Sequence, residues 1–143
     1  MHSRMNEKRL RKFEPLKQRA DLFLRAGNPN ARIGLISWGS TAGAVIEAFE
    51  LAAADGLDVK LLVPRLLYPV ADGIFQDFLA SVERGLIVEQ NHQAQLYRLL
   101  RMFVDVPGGV ETLAKSGSNP ITPSEIVERL RRLAAAPKAE TAR

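Results

Sequence analysis

The sequence predicts a three-layer α/β/α domain, built on a mostly parallel sheet of about four strands and preceded by a helical arm. Three observations carry this prediction. Short apolar runs alternate with longer runs of helical period, the pattern of βαβ units. Strands separated by helices require crossovers, so the sheet is expected to be parallel and covered on both faces. The chain of 143 residues is the size of one domain and long enough to close one hydrophobic core.

Each element has its own signal. Asn6 to Arg25 reads as helical, because Leu10, Phe13, Leu16, Ala20, Phe23 and Leu24 recur near a 3.6-residue period. Pro15 is expected to break or kink that helix, since proline has no N–H to donate. Ala26 to Ala31 (AGNPNA) is a stop signal, with Gly27 available as a C-cap. The apolar run Arg32–Ser37 is the first strand, followed by a helix over Ala42–Ala54 with Val45, Phe49 and Ala53 on one face. Asp58–Val63 is the second strand and Ala71–Val82 the next helix, carrying Ile74, Phe75, Phe78 and Leu79. Leu86–Glu89 is the third strand, and Leu96, Leu99, Leu100 and Phe103 mark the helix after it. Val110–Lys115 reads as a fourth, weaker strand. The last helix opens on a capping box, Thr122 as N-cap with Pro123 at the first helical position and Glu125 three residues on. The expected organisation is a basic helical linker arm over 1–30, an α/β domain over 31–136 and a disordered tail over 137–143.

Composition removes several chemistries. There is no cysteine, which excludes disulfides, thiolate metal sites, cysteine-held iron–sulfur clusters and cysteine nucleophiles. His2 and His92 are the only histidines, so a histidine-rich metal site is also excluded. The longest apolar run, Ile33–Ile46, is broken by Ser37, Gly39, Ser40 and Thr41 and is too short to span a bilayer. A cytoplasmic chain with no membrane partner is expected. The isoelectric point near 9.8 invites a nucleic-acid reading. However, Met1–Arg19 holds seven basic residues against Glu7 and Glu14, and the remainder of the chain sums to −1. The basicity therefore belongs to the arm, and no aromatic stacking platform accompanies it, so nucleic acid is not the expected partner.

Ligands of open α/β sheets sit at the carboxyl ends of the strands, where the strand order reverses. With an order of 2-1-3-4, that crevice lies between the loops after the first and third strands, "SWGSTAG" and "EQNHQAQ". Gly39 and Gly43 suit a tight turn and close helix approach, while Ser40 or Thr41 suits a helix cap. The first loop has no Walker lysine and no G-x-G-x-x-G, and the second strand ends in Pro64–Arg65 rather than an acidic ribose-binding residue. A nucleotide site is therefore not expected, although a helix N-terminus can attract an anion. Asn91 reads as an N-cap, and Glu89 has no assignable partner for general-base work. Trp38, Gly39, Ser40, Thr41, Tyr68, Glu89, Gln90 and Asn91 are the candidate crevice and domain-interface residues. No catalytic residue, cofactor-binding residue or metal ligand is assigned.

The segments "NEKRLRKFE", "LISWGSTAGAVIEA", "RLLYPV", "LIVEQNHQAQLYRLLR" and "NPITPSEIV" occur in that order between about Met5 and Leu130. Together they resemble the C-terminal, transketolase-like domain of the alpha subunit of 2-oxoacid:ferredoxin oxidoreductases. The resemblance implies a non-catalytic structural and assembly domain of a thiamine-diphosphate enzyme. The assembled enzyme would oxidatively decarboxylate a 2-oxoacid to an acyl-CoA and reduce ferredoxin. Thiamine diphosphate, magnesium, iron–sulfur cluster and coenzyme A are expected on other domains or subunits, because the acidic residue and asparagine of the pyrophosphate motif are missing here. The implied partners are a pyrimidine-binding domain, the beta subunit and, through the complex, ferredoxin, in an oligomer. The chain is read as a fragment or a separately encoded domain of a split subunit. The alternative is a free-standing regulatory domain that binds a small anion or metabolite in the same crevice.

Overall fold

The computed structural model describes residues 2–136, and the expected disordered tail at 137–143 lies outside the described residues. The helices are α1 (His2–Arg11), α2 (Glu14–Lys17), α3 (Ala42–Ala54), α4 (Asp72–Leu79), α5 (Gln95–Arg101) and α6 (Pro123–Ala135). The strands are β1 (Phe23–Gly27), β2 (Ile33–Ser37), β3 (Val59–Pro64), β4 (Arg84–Glu89) and β5 (Val110–Ala114). Short 3-10 turns at Ala20–Leu22 and Gly39–Thr41 lead into β1 and α3.

The strands lie in the order β1-β3-β2-β4-β5. Strands β2 to β5 run parallel, and β1 adds antiparallel to the outer side of β3. From β2 the chain crosses outward to β3 and then returns to β4 on the opposite flank, so the switch point falls between β2 and β4. Alternate side chains of the central strands serve two cores, as the strand period of two requires. Leu35, Leu61, Leu86 and Val88 pack on Val45 and Ala48 of α3 and on Ile126 and Leu130 of α6. Ile36, Leu62 and Ile87 pack on Phe75 and Leu79 of α4 and on Leu96 and Leu100 of α5. Each such side chain contributes about 1.5–3 kcal/mol by leaving water, and strands buried on both faces need apolar residues at successive positions.

The sheet has five strands rather than about four, because Asn6–Arg25 does not form one helix. Pro15 sits in the first turn of the short α2, where its missing N–H costs nothing. Phe23 to Gly27 then pair residue by residue with Pro64 to Lys60. Phe23 is buried, with its ring 5.7 Å from that of Phe75 and nearly perpendicular to it. Backbone pairing along an open sheet edge outweighs the weak helical period of this segment. Gly27 is not a helix cap. It ends β1 at φ +86°, where a Cβ would lie 2.2 Å from the Val59 carbonyl oxygen. The buried face of α3 is Val45, Ala48 and Ala52, so Ala53 is exposed, contrary to expectation.

Lys60 is buried in the sheet beside Gly27 and Gly34. Its ammonium donates to the Phe78 carbonyl near the end of α4, to Ser81 Oγ at 2.6 Å and to the Pro29 carbonyl at 3.2 Å. Burial pushes its pKa down, with Arg25 adding to the effect. The three acceptors spend all three donors, so this lysine holds α4 and the Pro29 turn onto the sheet.

The capping box of α6 forms as expected, with Thr122 Oγ1 accepting from the Glu125 N–H and the Glu125 carboxylate accepting from the Thr122 N–H at 2.8 Å. Lys115 also reaches that carboxylate, at 2.8 Å. The Lys115 hydrogen bond first, and then the Thr122 N–H and hydroxyl, lower the Glu125 pKa from 4.5 to about 2. A carboxylate depressed in the folded state stabilises above its unfolded pKa, and that contribution is lost as pH falls through the folded value. Urea midpoints of the native chain should therefore decline from pH 4.5 toward pH 2 more steeply than those of Glu125→Gln. Parallel profiles for the two proteins would contradict this assignment.

Candidate functional site

The two loops at the switch point are built by different means. At the end of β2, Ser37 is buried and its hydroxyl donates to the Val88 carbonyl at 2.8 Å, clamping β2 to β4. Trp38 is extended, and Gly39 then adopts φ +64° to start the 3-10 turn into α3. Space around Gly39 is open, so it is needed for its backbone angle rather than for close approach. Gly43 also has open space, against the expectation of close helix contact. Neither Ser40 nor Thr41 caps α3, because the 3-10 turn has already wound the chain and Thr41 itself is helical.

At the end of β4, Glu89 is 1% exposed and its carboxylate turns back onto α5. It accepts from the Leu96 N–H at 2.7 Å, the Tyr97 N–H at 3.2 Å and Asn91 Nδ2 at 2.7 Å. Two orphan donors of the first helical turn are thereby satisfied by a negative charge at the positive end of the helix. Asn91 is not the N-cap that its type suggests. Ala94 holds that position at φ 50°, and Asn91 Oδ1 instead accepts from the Gln93 and Gln95 N–H groups at 3.0 and 3.4 Å. Gln90 staples the β5–α6 connection: Nε2 donates to the Asn119 carbonyl at 3.2 Å, and Oε1 accepts from the Ile121 N–H at 2.9 Å.

Between the loops lies a hollow of about 320 Å³ lined by Trp38, Gly39, Ser40, Thr41, Gln90, Asn91 and Gln95. No ionisable side chain lines it. Glu89 lies beneath, spent on the helix, and is not part of the lining. Tyr68 is not brought to it either. That residue is 60% exposed in the β3–α4 loop, with its ring 6.3 Å from Phe13 and edge-on to it. A second, more apolar hollow of about 630 Å³ opens on the far side of Trp38, with Leu24, Ile46, Val63, Arg65, Leu66 and Leu67 among its lining. Trp38 and Gly39 border both hollows, so the indole is a half-buried ridge between a polar and an apolar depression. Sequence reasoning missed this second hollow. Its signal was the apolar pair Leu66–Leu67 directly after a strand.

Among the described residues no three histidine, aspartate or glutamate side chains group as a metal site, and no helix is long and apolar enough to cross a membrane. The hollow carries hydroxyls, amides and one aromatic ridge. Such a surface can exclude water and form hydrogen bonds, and it holds no group able to accept a proton near neutrality.

Solved structures first define the class of fold. The split-gene transketolase solved as an inactive beta4 tetramer superposes with a TM-score of 0.58 at 11% identity, over 76% of this chain and 39% of that one, a likeness of fold alone. No protein-family model matches the sequence. The relatives in sequence are narrower. The alpha subunit of 2-oxoacid:ferredoxin oxidoreductase 2 from Aeropyrum pernix is 30% identical over 136 residues, which is 93% of this chain and 21% of that protein. A 2-oxoglutarate:ferredoxin oxidoreductase from Magnetococcus marinus, solved with 2-oxoglutarate, coenzyme A and succinyl-CoA bound, superposes with a TM-score of 0.84 at 31% identity. That match covers 92% of this chain and 23% of that one. The chain spans about one fifth of the length of the curated relatives it matches. Over more than nine-tenths of its own length it is similar to a domain-sized part of 2-oxoacid:ferredoxin oxidoreductase alpha subunits, with the transketolase-like fold that the sequence motifs imply.

Glu89 sets the geometry of the second loop, which makes its contribution measurable. Glu89→Ala strips two backbone N–H groups and Asn91 of their acceptor and should cost about 2–4 kcal/mol in chemical denaturation. A loss below about 1 kcal/mol would show that the carboxylate does not hold α5.

Proposed function

We propose that the chain is the C-terminal, transketolase-like packing domain of a 2-oxoacid:ferredoxin oxidoreductase alpha subunit, and that it fixes the arrangement of neighbouring domains without performing chemistry itself. The observation that carries this reading is the lining of the switch-point hollow. It has no acid, base or cation, and two of its three amide side chains, Gln90 and Asn91, are committed to bonds within the fold. What it offers outward is Trp38, Ser40 and Gln95, whose side chains form no hydrogen bond within the chain among the described residues. A half-buried tryptophan between two depressions is the kind of residue that anchors an interface. The helical arm supports the same reading, since α1 and its turn expose Met5, Leu10 and Phe13 beside several cations, a face suited to another polypeptide.

The assembled enzyme would decarboxylate a 2-oxoacid oxidatively, forming an acyl-CoA and reducing ferredoxin. Thiamine diphosphate with magnesium does not fit this chain's own residues: the hollow has no carboxylate for the metal and no cation for the pyrophosphate. Those groups, with the iron–sulfur cluster and coenzyme A, belong on other domains in this reading, which places the complex in the cytoplasm as an oligomer. The same lack of a cation disfavours a free-standing anion sensor at the hollow.

The reading is tested by binding to the cognate alpha-subunit remainder and beta subunit. Trp38→Ala should weaken that association by about 30- to 1,000-fold, the cost of truncating an interface anchor, while leaving the circular dichroism unchanged. His92→Ala, outside the hollow, should bind as the native chain does. Undiminished affinity of Trp38→Ala would overturn the assignment of this face.

A further inference from the structure

Away from the switch point, the far edge of the sheet carries an arrangement that the packing reading does not use. β5 is the last strand beyond β4, and among the described residues no backbone group pairs with its outer side. On the α5 face of that edge, Thr112 and Ala114 stand at i and i+2 and floor a hollow of about 560 Å³. Arg98 and Arg101, one turn apart on α5, line the same hollow with Tyr97 and His92. Neither arginine has an ion-pair partner among the described residues. The charged side chains of β5 and of the residue after it are already spent: Glu111 is paired with Arg129 and Lys115 with Glu125. Asp105, which borders a separate hollow with Arg101, forms no salt bridge with it. Just past Arg101, Met102 and Phe103 are among the most exposed large apolar side chains of the domain.

An unprotected edge strand is a template for another strand, and globular proteins normally blunt it with proline, bulges or charge. Here β5 has no proline and small side chains over the hollow, with two guanidinium groups beside it that form no salt bridge, Arg101 lying over the Tyr97 ring at 5.8 Å. A strand laid along β5 would repeat on that face every two residues, about 6.7 Å. Arg98 and Arg101 are separated along the helix by about 4.5 Å, close enough for flexible guanidinium groups to meet successive carboxylates. The opposite edge, β1, differs: the hollow beside it is smaller, about 190 Å³, and is lined by one arginine, Arg25, with the carboxylate of Asp77 and the fully partnered Lys60.

We propose that the β5 edge, with Arg98 and Arg101, is a docking site for an extended acidic segment of a partner protein, which adds as a sixth strand with alternate carboxylates in the arginine hollow. Backbone pairing supplies affinity in such additions, and the alternate side chains supply selectivity. Met102 and Phe103 extend the same face and would cover an apolar residue at one end of the segment. This site is separate from the switch-point hollow, so either can fail without the other.

The test is titration of the isotope-labelled full chain with an octapeptide of alternating glutamate and valine, followed by amide NMR and hydrogen exchange. A lysine–valine octapeptide and a glutamate–valine peptide N-methylated at alternate amides serve as controls. The expected result is saturable binding with shifts and slowed exchange confined to Val110–Ala114 and α5, absent with either control. Arg98→Glu with Arg101→Glu, both exposed and without a salt bridge, should weaken binding at least tenfold while the spectrum beyond α5 and β5 is unchanged. The proposal is overturned by an absence of saturation up to about 1 mM, a weak-binding ceiling near 4 kcal/mol. It is equally overturned if the shifts map to the basic arm over Met1–Arg19, or if the N-methylated peptide binds as well as the parent.

Discussion

A single buried carboxylate sets the form of the switch point. Glu89 ends the central strand β4, lies out of water and receives two backbone N–H groups from α5 and the amide of Asn91. Without it, the first turn of a seven-residue helix would start inside the protein with its donors unmet. Because the helix begins where this carboxylate holds it, Ala94 is left in a left-handed conformation and the Gln90 amide faces the β5–α6 connection. The Ser37 clamp from β2 to Val88 fixes the other wall. The hollow between Trp38 and Gln95 is the space that these bonds leave.

That origin explains why the hollow is chemically quiet. The polar side chains that looked available in the sequence are the ones the fold needs, so Glu89, Gln90 and Asn91 are turned inward or sideways rather than toward a ligand. The unspent groups are those suited to contact with another protein surface: an indole ridge, a hydroxyl and one free amide. Charge is partitioned away from this face. Cations accumulate on the arm and on α5, beside the open β5 edge, where they can select an acidic neighbour without entering the switch point.

The parts of the fold that were legible in the sequence are those fixed by local physics. The parallel strands are apolar at successive positions because both faces are buried, the β3-β2-β4-β5 order follows from the crossovers, and the Thr122–Glu125 cap forms where it was read. β1 was not legible. Phe23 and Leu24 also fit a helical period, and only pairing with β3, some forty residues away, decides the matter. The role of Lys60 was equally hidden, because its partners are carbonyls from the Pro29 turn and from α4. At the candidate site, the convergence of the two loops was readable from topology, but the direction of each polar side chain was not. Asn91 is a natural cap by type, yet the longer Glu89 reaches the helix first, and Tyr68 is drawn toward Phe13 rather than the hollow.

Hydrogen–deuterium exchange of this chain, alone and within the proposed oxidoreductase assembly, tests the proposed packing role most directly. The account predicts slowed exchange on assembly at 38–42, at 65–67 and at 90, 91 and 95, where the Trp38 ridge and its two hollows would be covered. The buried strands should be unchanged. Unaltered exchange around Trp38, with protection arising only elsewhere on the domain, would contradict it.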